Sequence, residues 1–323
     1  MRTTVRLMLK SLRFEFVALT LILVALGVGA LAVAWRLDQV HMPAECLYGG
    51  FSSVEPDGGV ETACAVLQQE FYEIDGRGSL ILAFTVFVPV VAGLLLGVPL
   101  IGRELENGTA SLAWTLSRSR WRWYLRRAIP LALILALILV LPTITTVVME
   151  GARQPGIDPW ASFNNGSLRG PVLLLRGLMA FGVGVLVGVV MGRQLPGIIV
   201  AGLLTIVVVG VIPIGIQNYA NSVAEWRPAQ PGVGNADLVF NYAFRDQATG
   251  EVLDYETAYS RAPQIADLGP DEDWIASHFE SVTLVVPGKR YPEFVALECA
   301  ALGAVALLAL GVGGFVVDRR RPT

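Results

Sequence analysis

The residues whose types and order could do work lie between two long apolar runs. Segment 102–127 opens with Arg103, Glu104, Glu106, Gly108 and Thr109, continues with Leu112, Ala113 and Leu116, and closes with Arg118, Arg120, Arg122, Arg126 and Arg127. Leu112, Ala113 and Leu116 have the spacing of one face of a short helix. Held parallel to a membrane between two spans, such a helix can press that face into a soluble partner. Gly108 permits a sharp turn, and the Thr109 hydroxyl can cap the helix that follows. The chemistry offered is docking and transmission of force. No group of side chains assembles a nucleophile, a base and an orienting residue, and no Gly-x-x-x-x-Gly-Lys-Ser/Thr loop exists to cradle a nucleotide. The chain reads as a non-enzyme, unable to hydrolyse ATP by itself. His41 and His278 are isolated, and no cysteine or histidine cluster has metal-ligand spacing.

Two further pairs stand out. Arg176 and Glu298 each fall inside an apolar run, where a charge is costly and by default functional. They can pair, face a shared polar cavity on a transport pathway, or snorkel to the nearer interface. Cys46 and Cys64 share one hydrophilic loop. Outside the cytoplasm they can form a disulfide or remain thiols, while Cys299 reads as a small apolar filler.

The elements that must position these residues are membrane spans. Of 323 residues, 54% are hydrophobic and only 16% charged, and the mean hydropathy is +0.59; an ordinary soluble domain is far more polar. A span needs roughly 20 apolar residues, and six stretches qualify: 14–35, 78–101, 128–148, 171–192, 195–216 and 292–317. The first is too long for a cleavable signal and is read as retained. Even-numbered crossing puts both termini on one side. Segments 1–15, 102–127, 192–195 and 318–323 hold 14 basic and four acidic residues, whereas 37–77, 149–170 and 217–291 hold eight basic and 21 acidic. The positive-inside rule therefore makes both termini and segment 102–127 cytoplasmic.

The expected fold is thus an all-α integral membrane protein of six helices with a cytoplasmic helix between spans two and three. Residues 1–13 place Arg2, Arg6, Lys10 and Arg13 on one arc, predicting an interfacial amphipathic helix before the first span. Outer loops occupy 36–77 and 149–170, and 318–323 form a cytoplasmic tail. The large outer segment 217–291 carries strand-like runs at 237–244 and 281–286. Trp121, Trp123 and Tyr124 read as interface anchors. Gly93 and Gly97, and Gly184, Gly188 and Gly192, recur every fourth residue, allowing close helix approach either within the chain or at a seam between two copies.

The order acidic-x-acidic-x-Gly-Thr, a leucine and alanine helix, then Ser117-Arg118-x-Arg120-Trp121, resembles the cytoplasmic coupling segment of ABC-2 type transporter permeases, closest to the actinobacterial drug- and metabolite-exporter branch. That resemblance covers the motif closely and the six-span layout more loosely. It implies a multi-pass subunit of the bacterial cell membrane that exports a hydrophobic or amphipathic compound, as in drug efflux and antibiotic resistance. It also implies that Arg103, Glu104, Glu106, Gly108, Thr109, Leu112, Ala113 and Leu116 meet a separate ABC ATPase, which uses ATP and Mg while this chain binds no cofactor. The implied assembly is a permease homodimer with two ATPases, surrounded by membrane lipid and without nucleic acid. A different reading of the same sequence is a membrane-anchored sensor or assembly protein that binds a partner through its acidic outer segments.

Overall fold

The computed structural model describes residues 13–43, 46–47, 59–110, 114, 119–229, 236–265 and 269–320. The interfacial helix expected over 1–13 lies outside them except for Arg13, as do the tail residues 321–323. Among the described residues, six helices are long and apolar enough to cross a membrane. They are α1 (Arg13–Val40), α2 (Gly59–Glu106), α3 (Arg120–Arg153), α4 (Pro171–Met191), α5 (Gln194–Ser222) and α8 (Tyr291–Arg319).

The helices outrun the apolar stretches, because a helix need not stop where hydrocarbon stops. The extreme case is α2, with 48 residues, about 70 Å at 1.5 Å per residue against a core of about 30 Å. Much of the segment expected as a loop over 36–77 is therefore helix. Leu67, Phe71 and Ile74 recur at helical spacing and pack with Ala30, Val33, Leu37 and Met42 of the α1 end. Cys46 and Cys64 are joined by a disulfide, and the Gln68 side chain donates to the Cys46 carbonyl. Closing a span of 18 residues stabilises by about 3 kcal/mol in the chain-entropy model. Cys46→Ser with Cys64→Ser is expected to lower the thermal midpoint accordingly. An unchanged midpoint would mean that helix packing alone holds this hairpin.

Helix α4 is the centre of the bundle. Its most apolar window is 78% buried, against 17–50% for the other five. Gly170 (φ +65°) precedes it and Gly192 (φ +62°) ends it, both in the left-handed region that favours glycine. Its glycines are spent on contact within the chain: Gly184 and Gly188 lie against Gly97 and Val98 of α2, and Gly182 against Ala306 of α8. The opposite extreme is α5, which leaves Leu195, Ile199, Leu203, Ile206 and Val211 more than half exposed.

The bundle carries a sheet where the sequence shows strand-like runs, so the chain is mostly rather than wholly helical. Strands β1 (Glu225–Pro228), β2 (Leu238–Asp246), β3 (Val252–Leu253) and β6 (Phe279–Val286) form an antiparallel sheet in the order β1-β6-β2-β3. Register runs Glu225 opposite Val285, Leu238 opposite Val286 and Phe244 opposite Leu253, with a bulge between Val239 and Asn241. A two-stranded ladder of β4 (Gln264–Ile265) and β5 (Gly269–Pro270) lies between two short helices, α6 (Tyr255–Arg261) and α7 (Glu272–His278). Leu253, Ala258, Ala262, Ile275 and Phe279 form the cap's own core. The cap is tied to the bundle where Phe163 N donates to Ala236 O at 2.8 Å and Gly288 N to Asp237 Oδ1 at 2.7 Å.

Acid should loosen this cap. The Thr249 and Ala248 amides hold the Asp246 carboxyl below the usual carboxylate range, and the Thr257 hydroxyl and amide do the same for Asp254. A lowered carboxyl stabilises the fold above its unfolded pKa, and that contribution disappears as pH falls through the folded value. Hydrogen-exchange protection of β2 and β6, corrected for the intrinsic pH dependence of exchange, is expected to stay constant from neutrality to about pH 4 and to fall below it. A change already complete near neutral pH would contradict this account.

Candidate functional site

The segment between α2 and α3 is built by a helix end that folds back on the bundle. Helix α2 stops at Glu106, where Asn107 N donates to Arg103 O at 3.1 Å and Gly108 N to Leu105 O at 3.2 Å. Gly108 adopts φ +70°, the turn for which a glycine is needed. The Thr109 hydroxyl donates back to the Glu104 carbonyl at 3.3 Å, closing the end of α2. Ala110 and Trp114 are buried, while Leu112, Ala113, Leu116 and Arg118 lie outside the described residues. Helix α3 then begins behind Ser119, whose side chain accepts from Arg122 N.

The acidic pair expected to face a partner is engaged within the chain. Glu104 forms an ion pair with Arg127, and the Arg127 guanidinium lies 4.4 Å from the Trp123 ring centre. Glu106 Oε2 accepts from Gln194 N at 3.1 Å, so a carboxylate of α2 caps the positive end of the α5 dipole. Arg120 sits 5.1 Å from the Trp114 ring and donates to the Arg320 carbonyl at 2.5 Å. Arg320 in turn donates to Val189 O at the end of α4. Tyr124 donates to Leu310 O at 2.8 Å. Trp121 stacks on Tyr124 at 6.0 Å and its ring lies directly against Gly314, so these aromatics are helix contacts as well as interface anchors. One end of the bundle is thereby fastened together around this segment, with Arg103, Glu106, Asn107, Gly108 and Thr109 left exposed.

At the opposite end lies a buried layer of charge. Arg176 Nη2 meets Glu298 Oε1 at 2.7 Å, with both side chains under a tenth exposed, and Ser167 Oγ donates to Glu298 Oε2 at 3.4 Å. Sequence reasoning singled out those two and missed their neighbours, because 149–170 reads as a solvated loop. Glu150 is fully buried, taken by Arg153 at 3.3 Å, Gln154 at 2.8 Å and Asn165 at 3.0 Å. Arg153 also reaches Asp75 of α2 at 2.5 Å. Arg169 is 1% exposed, donates to the carbonyls of Pro159 at 2.6 Å and Ser162 at 2.7 Å, and lies 5.0 Å from the Tyr291 ring. The one available sequence signal was the i,i+3 spacing of Glu150 and Arg153. Beside the Arg176 and Glu298 pair, a cavity opens between the ends of α5 and α8.

The family model described as ABC-2 membrane transporter related matches residues 15–217, which take in nearly all of the first five spans and the whole of segment 102–127. No curated protein matches the chain. No solved structure matches it either. Membership of that family implies an ABC ATPase as partner and a transport role that is generally not catalytic in itself. With six spanning helices and a match over well over half its length, the chain is a multi-pass cell-membrane protein and belongs to the ABC-2 membrane transporter related family.

Proposed function

We propose that this chain is the permease subunit of an ATP-driven exporter that carries an apolar or amphipathic compound outward. Both termini and segment 102–127 would lie in the cytoplasm and the sheet-bearing cap outside. The separation of basic and acidic residues between the two ends supports that orientation. The scarcity of charge along the spans suits a greasy cargo better than a hydrophilic one. A pair of permeases working with two ATPases fits the largely unburied flank of α5, whose apolar face meets lipid or a second copy.

The observation that carries the proposal is the fastening of segment 102–127 to four spans through Arg127, Glu106, Arg120 and Tyr124. In this mechanism, two ATPase subunits close on ATP and push the exposed turn at 106–109. The push reaches the end of α5 through Glu106 and the ends of α4 and α8 through Arg120 and Arg320. The two membrane halves then rock from inward-open to outward-open, and hydrolysis resets them. Closely packed helices move as rigid bodies rather than bending continuously, so a small displacement at the turn is not dissipated along the way.

Co-expression with a cognate ATPase subunit tests this. Glu104→Gln with Glu106→Gln is expected to leave a complex that hydrolyses ATP but exports poorly, because the lever is loosened while the spans remain folded. Export that keeps pace with hydrolysis in this variant would count against the role of the segment.

A further inference from the structure

The cavity at the sheet end, about 220 Å³ in volume, has a composition that selects its occupant. Its walls are mostly apolar: Phe163 and Phe294 meet edge to face at 5.3 Å and Pro213, Ile216 and Leu238 lie with them, while Ser167, Gln217 and Tyr291 add polar atoms. Glu298 also lines it, although that residue is only 6% exposed. One of its oxygens holds Arg176 at 2.7 Å, while the other has a long 3.4 Å contact from Ser167. A carboxylate oxygen has room for two donors. The unmet capacity at Glu298 is therefore that of an acceptor, while the exposed Gln217 amide on the α5 wall can both donate and accept.

Charge narrows the choice further. Arg176 and Glu298 cancel and the buried Arg169 lies 5.0 Å from the Tyr291 ring that lines the cavity, so a cation would add positive charge in a region of low dielectric, and an anion would compete with Glu298 for Arg176. The volume is below the roughly 300 Å³ at which drug-sized pockets begin. It therefore takes a molecule of about a dozen heavy atoms, or one end of a larger one. We propose that this cavity binds an uncharged amphiphile, a ring or short chain ending in a hydroxyl that donates to Glu298. Pro213 has no N–H to bond back into the preceding turn, which weakens α5 where it forms one wall and lets that wall yield. That the occupant is cargo rests on the export reading; the binding itself does not.

The test uses the purified full chain in nanodiscs, without nucleotide or ATPase, carrying Ile216→Cys in a Cys299→Ser background with the Cys46 and Cys64 disulfide intact. The rate at which a methanethiosulfonate modifies the new thiol is measured with four probes of similar size: 4-phenylbutan-1-ol, butylbenzene, 4-phenylbutylammonium and 4-phenylbutyrate. Tyr242→Cys, on the exposed sheet, controls for effects on the reagent, and Val295→Cys serves as a second reporter should the first misfold. The alcohol is expected to protect the cavity thiol at about tenfold lower concentration than the other three. Equal protection by butylbenzene would reduce the site to an apolar void, and equal or better protection by the ammonium would overturn the selection for a neutral ligand. Absence of protection by any probe would overturn the site itself. None of these outcomes bears on ATPase association, and failure to associate with an ATPase would leave this site untouched.

Discussion

Glu298→Gln is expected to destabilise the chain by about 3–5 kcal/mol, and Arg176→Met by a similar amount. Glutamine nearly matches glutamate in shape, so the loss reports charge rather than volume. The guanidinium of Arg176 is 5% exposed, and without Glu298 it would sit uncompensated beside the cavity, with its hydration already surrendered. Replacing both members at once, Arg176→Met with Glu298→Leu, removes the stranded charge and is expected to recover most of the lost stability. The same double variant should no longer distinguish 4-phenylbutan-1-ol from butylbenzene. Thermal midpoints of the purified chain in detergent check the first part. A double variant destabilised by the sum of the two single losses would show that the two residues contribute separately rather than as a pair.

The second large effect is expected at the seam between α2 and α4. A Cβ on Gly93 would fall 2.7 Å from Phe181 N and 3.0 Å from Ala180 Cβ, and one on Gly188 would strike the Val98 carbonyl and lie 3.2 Å from Val98 Cα. Most of these obstacles are backbone atoms of the neighbouring helix, which cannot rotate aside as a side chain can. The helices must separate, and every contact along the seam weakens with them. Gly188→Ala is expected to cost roughly 1–3 kcal/mol, the usual range for overpacking, and Gly93→Val together with Gly188→Val to prevent stable accumulation in the membrane. Among the described residues, Gly210 and Gly215 of α5 meet nothing within 4 Å, so alanine there should leave stability unchanged or raise it by up to about 1 kcal/mol. If the α5 variants proved as damaging as those at the seam, close packing of α4 would not be what holds the bundle.

What could be read from the sequence follows the strength of each physical signal. The spans are legible because the bilayer demands long uninterrupted apolar runs, and Arg176 and Glu298 are legible because a charge inside such a run is rare. Helix ends are less so. The stretch 59–77 of α2 is polar enough to pass for a loop, although Leu67, Phe71 and Ile74 already carry the helical period that packs against α1. Within the cap, β2 alternates in part and β6 is rich in β-branched residues, whereas Glu225–Pro228 pairs with β6 despite holding a proline and charges that disfavour a strand. Glu150, Arg153 and Arg169 escape sequence reasoning for a different reason. The burial of Glu150 and Arg169 depends on the 159–168 loop folding over them and the Arg153 ion pair with Asp75 on α2 meeting α3, tertiary events that leave no local pattern. Glu104 and Glu106 were recognisable as special, yet their attachments to Arg127 and Gln194 arise only when α2, α3 and α5 meet.

The central claim is that the turn at 106–109 lies in the cytoplasm and receives motion from an ATPase. Asn107, exposed on that turn, offers the most direct measurement: labelling of an Asn107→Cys variant with a membrane-impermeant maleimide in intact cells, in inverted vesicles, and in vesicles containing the cognate ATPase subunit. The account predicts no labelling from outside, rapid labelling in inverted vesicles, and protection when the ATPase is present. Labelling in intact cells, or labelling in vesicles that the ATPase leaves unchanged, would contradict it.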